Sequence, residues 1–209
     1  MLHYEAVRPD TLGLLKKLMA FNALDSFVLV GGTSLALQFG HRISEDIDMF
    51  SVAEFNEDIL LNMIQEKFPN TNVGGTGIRT LNLMLDEVKV DLLRYNYPLL
   101  EEIIVEDGIR MMGKRDISAM KLSAISSRGA KKDYYDLYFL LQHYSIGEML
   151  EFYQTKFNIQ NIFHVVKSID YFDDAEKSKD VEEIISVSWK EVKAYISKAK
   201  LEYEKLRFQ

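Results

Sequence analysis

The chain has 209 residues, a net charge of −7, an apolar share of 47% and no cysteine. This length fits one large domain or two small ones, and the apolar share suffices to bury a core. The lack of cysteine excludes disulfides, thiolate metal sites and a cysteine nucleophile, and apolar runs of only a few residues exclude a membrane span. The chain starts without a basic stretch followed by an apolar run, so we expect a cytoplasmic protein.

The first half of the chain alternates helix and strand signals. Apolar residues at three-and-four spacing mark helices, alternation of apolar and polar residues marks strands, and glycine or acidic pairs mark turns. This order predicts a mixed sheet flanked by helices. The predicted elements are a helix with its N-cap at Asp10, a strand over 26–30, a helix over 33–39, a strand over 46–50, a helix over 54–68 and a hairpin of strands 81–85 and 88–93.

Beyond about residue 112 the strand signals fade. The remaining chain shows helical periodicity, interrupted by a polar stretch over 170–180 that we expect to be an exposed loop. The predicted fold class is α/β, more narrowly α+β, with a mixed sheet and flanking helices over 1–112 and a helical part over 113–209. The helices predicted in the second part cover 115–128, 132–144, 146–157, 159–168 and 181–205.

A glycine turn joins the first predicted strand to the second predicted helix. In Gly31-Gly32-Thr33-Ser34 the glycines allow a ligand to approach the backbone, and the free N–H groups of a helix start suit a phosphate. Thr33 or Ser34 can add a hydroxyl donor. A tight turn with an ordinary helix cap explains the same residues, so this motif alone does not decide the function.

Two predicted strands carry three carboxylates. The strand period of two puts Asp46 and Asp48 on one side of the sheet, where like charges need solvent, a proton or a cation between them. Hard oxygen ligands of this kind suit Mg²⁺ or Mn²⁺, although an exposed strand face gives the same pattern. Asp91 interrupts an apolar run, and the three carboxylates converge if its strand lies beside that of Asp46 and Asp48. Two metal ions held there can orient a nucleoside triphosphate for nucleotidyl transfer.

The order of these motifs resembles the polymerase-β-like nucleotidyltransferase superfamily, in which a Gly-Ser/Thr helix start precedes an Asp-x-Asp strand and a third Asp. The segment 40–50 also resembles the first motif of the AbiEii/AbiGii toxin family of bacterial abortive-infection and toxin–antitoxin systems. The downstream pattern of that family, Lys-x-x-Ala-x-x-x-Arg-x-x-x-basic-Asp, is met by Lys121, Ala124, Arg128, Lys132 and Asp133.

The resemblance implies an enzyme that depends on Mg²⁺ or Mn²⁺ and transfers NMP from an NTP to an acceptor, namely RNA and in particular transfer RNA. It also implies a separate antitoxin protein as partner, no membrane, and a helical part that completes the active-site cleft. The resemblance also implies a role for each matching residue. Asp46, Asp48 and Asp91 hold the metals, Asp91 also activates the acceptor, and Gly31, Gly32, Thr33 and Ser34 bind the triphosphate. Lys121 and Arg128 stabilise the charge of the triphosphate, and Asp133 or Asp136 orients these two cations or acts as a base.

Basic residues are concentrated in the segment that contains the downstream family pattern. The segment 110–133 holds seven basic and two acidic residues, a local charge of +5. Lys114, Lys121 and Arg128 recur every seven residues, so they can line one helix face and meet triphosphate oxygens or an RNA backbone, although a solvated helix face has the same spacing. Arg42 is a further candidate, which either binds phosphate or pairs with a neighbouring carboxylate to hold its loop.

Three other functions stay open at this level. A kinase-like enzyme would transfer a phosphoryl group from the same NTP with nearly identical residues. A non-catalytic module would keep the fold and use the acidic site only to bind nucleotide or a partner. A glycosyltransferase would use Asp-x-Asp with a nucleotide sugar, but that function explains neither the glycine helix start nor the signature from Lys121 to Asp133.

Overall fold

The computed structural model describes residues 1–207, which form two compact units. The first unit comprises Met1–Tyr97 and Ile103–Met112, and the second comprises Pro98–Glu102 and the chain from Gly113 onward. No helix among residues 1–207 has the length and apolar character needed to cross a bilayer.

The first unit is built on a mixed sheet. Its strands are β1 (Phe27–Leu29), β2 (Ile47–Ser51), β3 (Thr71–Gly77), β4 (Thr80–Leu85), β5 (Val88–Arg94), β6 (Ile104–Glu106) and β7 (Ile109–Met111). Within the described residues these seven strands lie in the order β3-β4-β5-β2-β1-β7-β6. Because β2 runs antiparallel to β1 and parallel to β5, the centre of the sheet mixes both directions. The helices of this unit are α1 (Pro9–Met19), α2 (Gly31–Phe39) and α3 (Glu57–Lys67).

One face of this sheet is apolar and the other carries polar side chains. Along β2, Ile47 is buried and Asp48 is half-buried, and along β5, Val90 and Leu92 are buried while Asp91 is half-buried. The buried strand residues share one apolar cluster with residues of α1 and α3. The strand period of two therefore turns both aspartates away from this core.

The second unit is helical. Its helices are α4 (Lys114–Ser127), α5 (Lys131–Leu140), α6 (Ile146–Phe157), α7 (Phe163–Ser168), α8 (Asp173–Glu176) and α9 (Trp189–Arg207). Tyr135 stacks on Trp189 with ring centroids 5.9 Å apart, which packs α5 against α9. Lys156 and Asp116 form a fully buried ion pair, and Asp116 also accepts the N–H group of Leu100. This pair ties the chain segment before Ile103 to α4 and α6.

The structure confirms the mixed α/β class, but several predicted boundaries are wrong. The helix predicted over 159–168 begins only at Phe163, and the exposed loop predicted over 170–180 contains α8, with Ala175 buried. The N-cap expected at Asp10 lies two residues earlier, because Pro9 occupies the first helical position of α1, where a proline is well accommodated. The helix predicted over 181–205 begins only after Ser188. Ser188 and Glu191 exchange backbone and side-chain hydrogen bonds that cap α9 at this point.

Candidate active site

The glycine turn brings the start of α2 against the side chain of Asp48. Gly31 has a φ of +66°, a conformation that favours glycine, and a Cβ at this position would lie 3.0 Å from Oδ2 of Asp48. The N–H group of Val30 donates to the carbonyl oxygen of Asp48 over 2.9 Å. Val30 is also the N-cap of α2, and a valine side chain has no oxygen to accept from the first helical N–H groups. The turn therefore combines helix N–H donors with a nearby carboxylate.

The hydroxyl groups that follow the glycines point into the protein. Thr33 and Ser34 are buried, with 2% and 0% of their surface exposed. The Thr33 hydroxyl donates to the carbonyl oxygen of Asp46 and bonds the Ser44 hydroxyl at 2.8 Å, and Ser34 accepts from the amide of Gln38 at 3.0 Å. Thr33 thus holds the loop that leads to Asp46. A direct bond from either hydroxyl to a phosphate stays a prediction.

The two central aspartates face each other across neighbouring strands. Asp48 on β2 and Asp91 on β5 are register partners in the parallel pair. Asp46 is the residue immediately before β2, whose first residue, Ile47, pairs with Val90. The fold thus brings Asp48 and Asp91, which are 43 positions apart in the sequence, to the same level of one sheet face.

Two polar residues at this face were not singled out by the sequence patterns. The side-chain amide of Asn82, on β4, donates to Oδ1 of Asp91 over 2.8 Å. The ammonium of Lys89, on β5, lies 2.7 Å from Oδ2 of the same carboxylate. The hydrogen bond to Asp91 raises the pKa of Lys89, and the charges of Asp91, Asp48 and Asp46 raise it further. The alternation of β5, with Lys89 two residues before Asp91, is the sequence signal that could have revealed this neighbour.

The donor atoms of this face suit a hard divalent cation. Asp48 and Asp91 present carboxylates at one register level, and the Lys89 ammonium already supplies positive charge beside them. Within residues 1–207 no group of three or more His, Cys, Asp or Glu side chains is arranged to hold a metal ion. The donor chemistry therefore fits Mg²⁺ or Mn²⁺, whereas coordination of one ion by Asp46, Asp48 and Asp91 together stays a prediction.

Arg42 lies inside its loop in the first unit. Only 4% of its surface is exposed, and its guanidinium donates to the carbonyl oxygen of Ile43 over 3.1 Å. This contact lies within the loop itself, and both the binding of a phosphate by Arg42 and its pairing with a carboxylate stay predictions. Arg110 also lies in the first unit, where its guanidinium donates to three backbone carbonyl oxygens.

In the second unit the exposed Arg128 and the buried Lys121 meet the buried carboxylate of Asp133 where α4 and α5 pack together. Lys121 is 5% exposed, and its ammonium lies 2.9 Å from Oδ1 of Asp133 and also pairs with Asp136. Nε of Arg128 donates to Oδ2 of Asp133 over 3.0 Å. Burial opposes ionisation of Asp133, but the charges and hydrogen bonds of Lys121 and Arg128 outweigh it and lower the pKa of this carboxyl. Asp133 and Asp136 thus contact the two cations, whereas the roles of these aspartates and the contact of Lys121 and Arg128 with a triphosphate stay predictions.

Comparisons with known proteins agree with this fold. A family model described as "Nucleotidyl transferase AbiEii toxin, Type IV TA system" matches residues 13–202. A protein of Aquifex aeolicus (strain VF5), described as "Uncharacterized protein aq_aa25", is 34% identical over 195 residues, which cover 90% of this chain and 93% of that protein. The crystal structure of JHP933 from Helicobacter pylori is similar with a TM-score of 0.56 and 19% identity, covering 97% of both chains. The solution structure of the antibiotic-resistance factor ANT(2'')-Ia gives a TM-score of 0.54 at 14% identity, covering 70% of this chain and 91% of that chain.

A mixed sheet with paired strand aspartates beside a glycine helix start defines the class of the protein as a nucleotidyltransferase. The chain belongs to the AbiEii nucleotidyl transferase toxin family, whose model matches most of its length. The family expected from the motifs around Asp46 and Lys121 is thereby confirmed. The two solved structures, at below 20% identity, support the fold alone.

Proposed function

We propose that this nucleotidyltransferase transfers NMP from an NTP to RNA in the presence of Mg²⁺ or Mn²⁺. The observation that carries the proposal is the pairing of Asp48 with Asp91 at one register level, with Gly31 against the Asp48 carboxylate. This arrangement puts carboxylates for a divalent cation next to helix N–H groups for a phosphate.

The reaction makes one bond at phosphorus and breaks another. The acceptor oxygen bonds to the α-phosphorus, the bond from that phosphorus to the oxygen bridging to the β-phosphate breaks, and pyrophosphate leaves with the electron pair. We assign uptake of the acceptor proton to the carboxylate of Asp91. A divalent cation held by the aspartates would supply positive charge opposite the α-phosphate and the leaving pyrophosphate. The N–H groups at the start of α2 would hold a phosphate oxygen.

Family membership supports the biological part of the proposal. The family description names a toxin of a toxin–antitoxin system, so we propose that the chain acts as such a toxin beside a separate antitoxin protein. An RNA acceptor, with transfer RNA the first candidate, fits the same assignment.

Label transfer tests the reaction. The full-length protein is incubated with total RNA, Mg²⁺ and each NTP labelled at either the α- or the γ-phosphate. We expect label from the α-phosphate to enter RNA and label from the γ-phosphate to leave with pyrophosphate. Transfer of the γ-label into a macromolecule would instead show a kinase, and the absence of any transfer would favour a binding module.

Matched aspartate variants test the assigned site. We expect Asp48→Asn and Asp91→Asn each to lower the transfer rate by ~100-fold or more, because each removes a charge that must be present in the transition state. Asp58→Asn is the control, since Asp58 is an exposed residue of α3 and its loss removes the same charge from the same unit. Equal rates in all three variants would refute the site.

A further inference from the structure

Lys89 lies on the sheet face that carries Asp48 and Asp91, which we call the acidic face. Side chains along β5 alternate between buried and exposed, so Lys89 shares its face with Asp91 two residues later. The ammonium lies 2.7 Å from Oδ2 of Asp91, although the Lys89 side chain is 52% exposed and that of Asp91 only 13%. A flexible, half-exposed cation therefore reaches inward to a shielded carboxylate.

The same ammonium lies in the field of all three aspartates. Asp91 bonds it directly, and Asp48 and Asp46 also act on it through their charges. Asp48 and Asp91 carry like charges at one register level of the sheet, where they repel one another unless a cation lies between them. Lys89 supplies such a cation from its own chain.

The second oxygen of Asp91 has a fixed partner. Asn82 on β4 donates its side-chain amide to Oδ1 over 2.8 Å, and Asn82 and Asp91 are register partners in the antiparallel pair. Asn82 is neutral and short, so it can keep the carboxylate oriented whatever cation binds the other oxygen. Lys89 carries charge on a long side chain that can swing into solvent.

We propose that Lys89 is a tethered counter-cation of the acidic site, paired with Asp91 in the free protein and displaced when a divalent cation binds. The inference rests on the proposed function, because it takes the acidic face as the metal site. Lys89 then sets how tightly the free protein binds metal. Its ammonium would keep the affinity of the site for the divalent cation low until a nucleotide contributes further oxygen ligands.

Calorimetric titration with Mn²⁺ alone, without nucleotide or RNA, tests this inference. We expect Lys89→Met to bind Mn²⁺ about 10-fold more tightly than the unmodified protein, because a positive charge a few ångströms from the ion is removed. Lys89→Arg keeps the charge and should bind as the unmodified protein does. Lys17→Met, which removes one charge from an exposed position of α1 in the same unit, should also leave affinity unchanged.

The melting temperature of each variant gives a second measurement that does not depend on the heat of binding. Saturating Mn²⁺ should raise the melting temperature of Lys89→Met more than that of Lys89→Arg or Lys17→Met, because tighter binding to the native state stabilises it more. Equal Mn²⁺ affinities and equal melting shifts in all variants would overturn the role of Lys89 and leave the proposed reaction standing. No Mn²⁺ binding by any variant would overturn both the role of Lys89 and the metal site of the proposed function.

Discussion

At the scale of single residues, the site depends on a glycine that no other residue can replace without strain. Gly31 adopts a left-handed backbone conformation, and the space where a Cβ would lie is limited by Oδ2 of Asp48. The glycine that is proposed to admit a phosphate is thus also the residue that lets the carboxylate of Asp48 approach the helix start. Local strain and site geometry are coupled at this one position.

Substituting this glycine should therefore affect both stability and the site. We expect Gly31→Ala to lower the free energy of unfolding by about 2 kcal/mol, because an L-residue is strained at this φ and its Cβ would press on Asp48. Gly13→Ala is the matched control, since nothing lies within 4 Å of a Cβ built on that residue of α1, and it should stabilise by about 0.5–1 kcal/mol. Urea denaturation measures both, and equal effects would refute the strain argument.

Some residues of the site could be predicted from sequence and others could not. Asp48 and Asp91 are recognisable because a charge interrupts an apolar strand pattern, and the pattern also tells which face each occupies. The partners Asn82 and Lys89 were missed because an exposed polar residue on a strand is ordinary by itself. Asn82 meets the carboxylate only through cross-strand register, whereas Lys89 lies two residues before Asp91 on the same strand.

At the scale of elements, the hairpin of β4 and β5 sets the register that positions Asp91. Its two-residue turn uses Asp86 and Glu87, which have φ values of 46° and 67°. These left-handed conformations are those of a hairpin turn that normally prefers Asn-Gly or Asp-Gly. The alternating strands on either side predicted the hairpin without that glycine, so pairing of the strands outweighs the strain of the turn.

A glycine at the second turn position should relieve this strain. We expect Glu87→Gly to raise the free energy of unfolding by about 0.5–1 kcal/mol, because glycine adopts a positive φ without a Cβ penalty. The same substitution in the middle of α6, Glu151→Gly, should instead lower it by about 1 kcal/mol. Thermal unfolding of both variants gives the comparison, and a loss of stability in Glu87→Gly would contradict the turn assignment.

Elements with weak local signals were those that the sequence did not predict. β3 contains three glycines and is largely exposed at one edge of the sheet, so it has neither apolar alternation nor strong strand residues. β6 and β7 are only three residues long each, and tertiary pairing defines them more than composition does. The helix over 181–188 was overpredicted because its acidic residues make tertiary bonds instead, such as that of Glu183 to the Tyr135 hydroxyl.

At the scale of the whole molecule, the two units hold different parts of the motif set. The first unit carries the glycine turn and the three aspartates, and the second carries Lys121 with its carboxylate partners. The family could be inferred from sequence because both parts keep their spacing. The proposed RNA acceptor could not be inferred from the residues themselves, because recognition of RNA depends on surfaces and charges rather than on a short motif.

We propose that Asp48 and Asp91 together hold the cation that binds the triphosphate. Crystals grown with Mn²⁺ and a non-hydrolysable NTP analogue allow the ion to be located by its anomalous scattering. We predict a peak within about 2.5 Å of a carboxylate oxygen from both Asp48 and Asp91, with the phosphates next to Gly31. Bound nucleotide whose Mn²⁺ lies away from both aspartates, or a nucleotide bound without any ion, would contradict the claim.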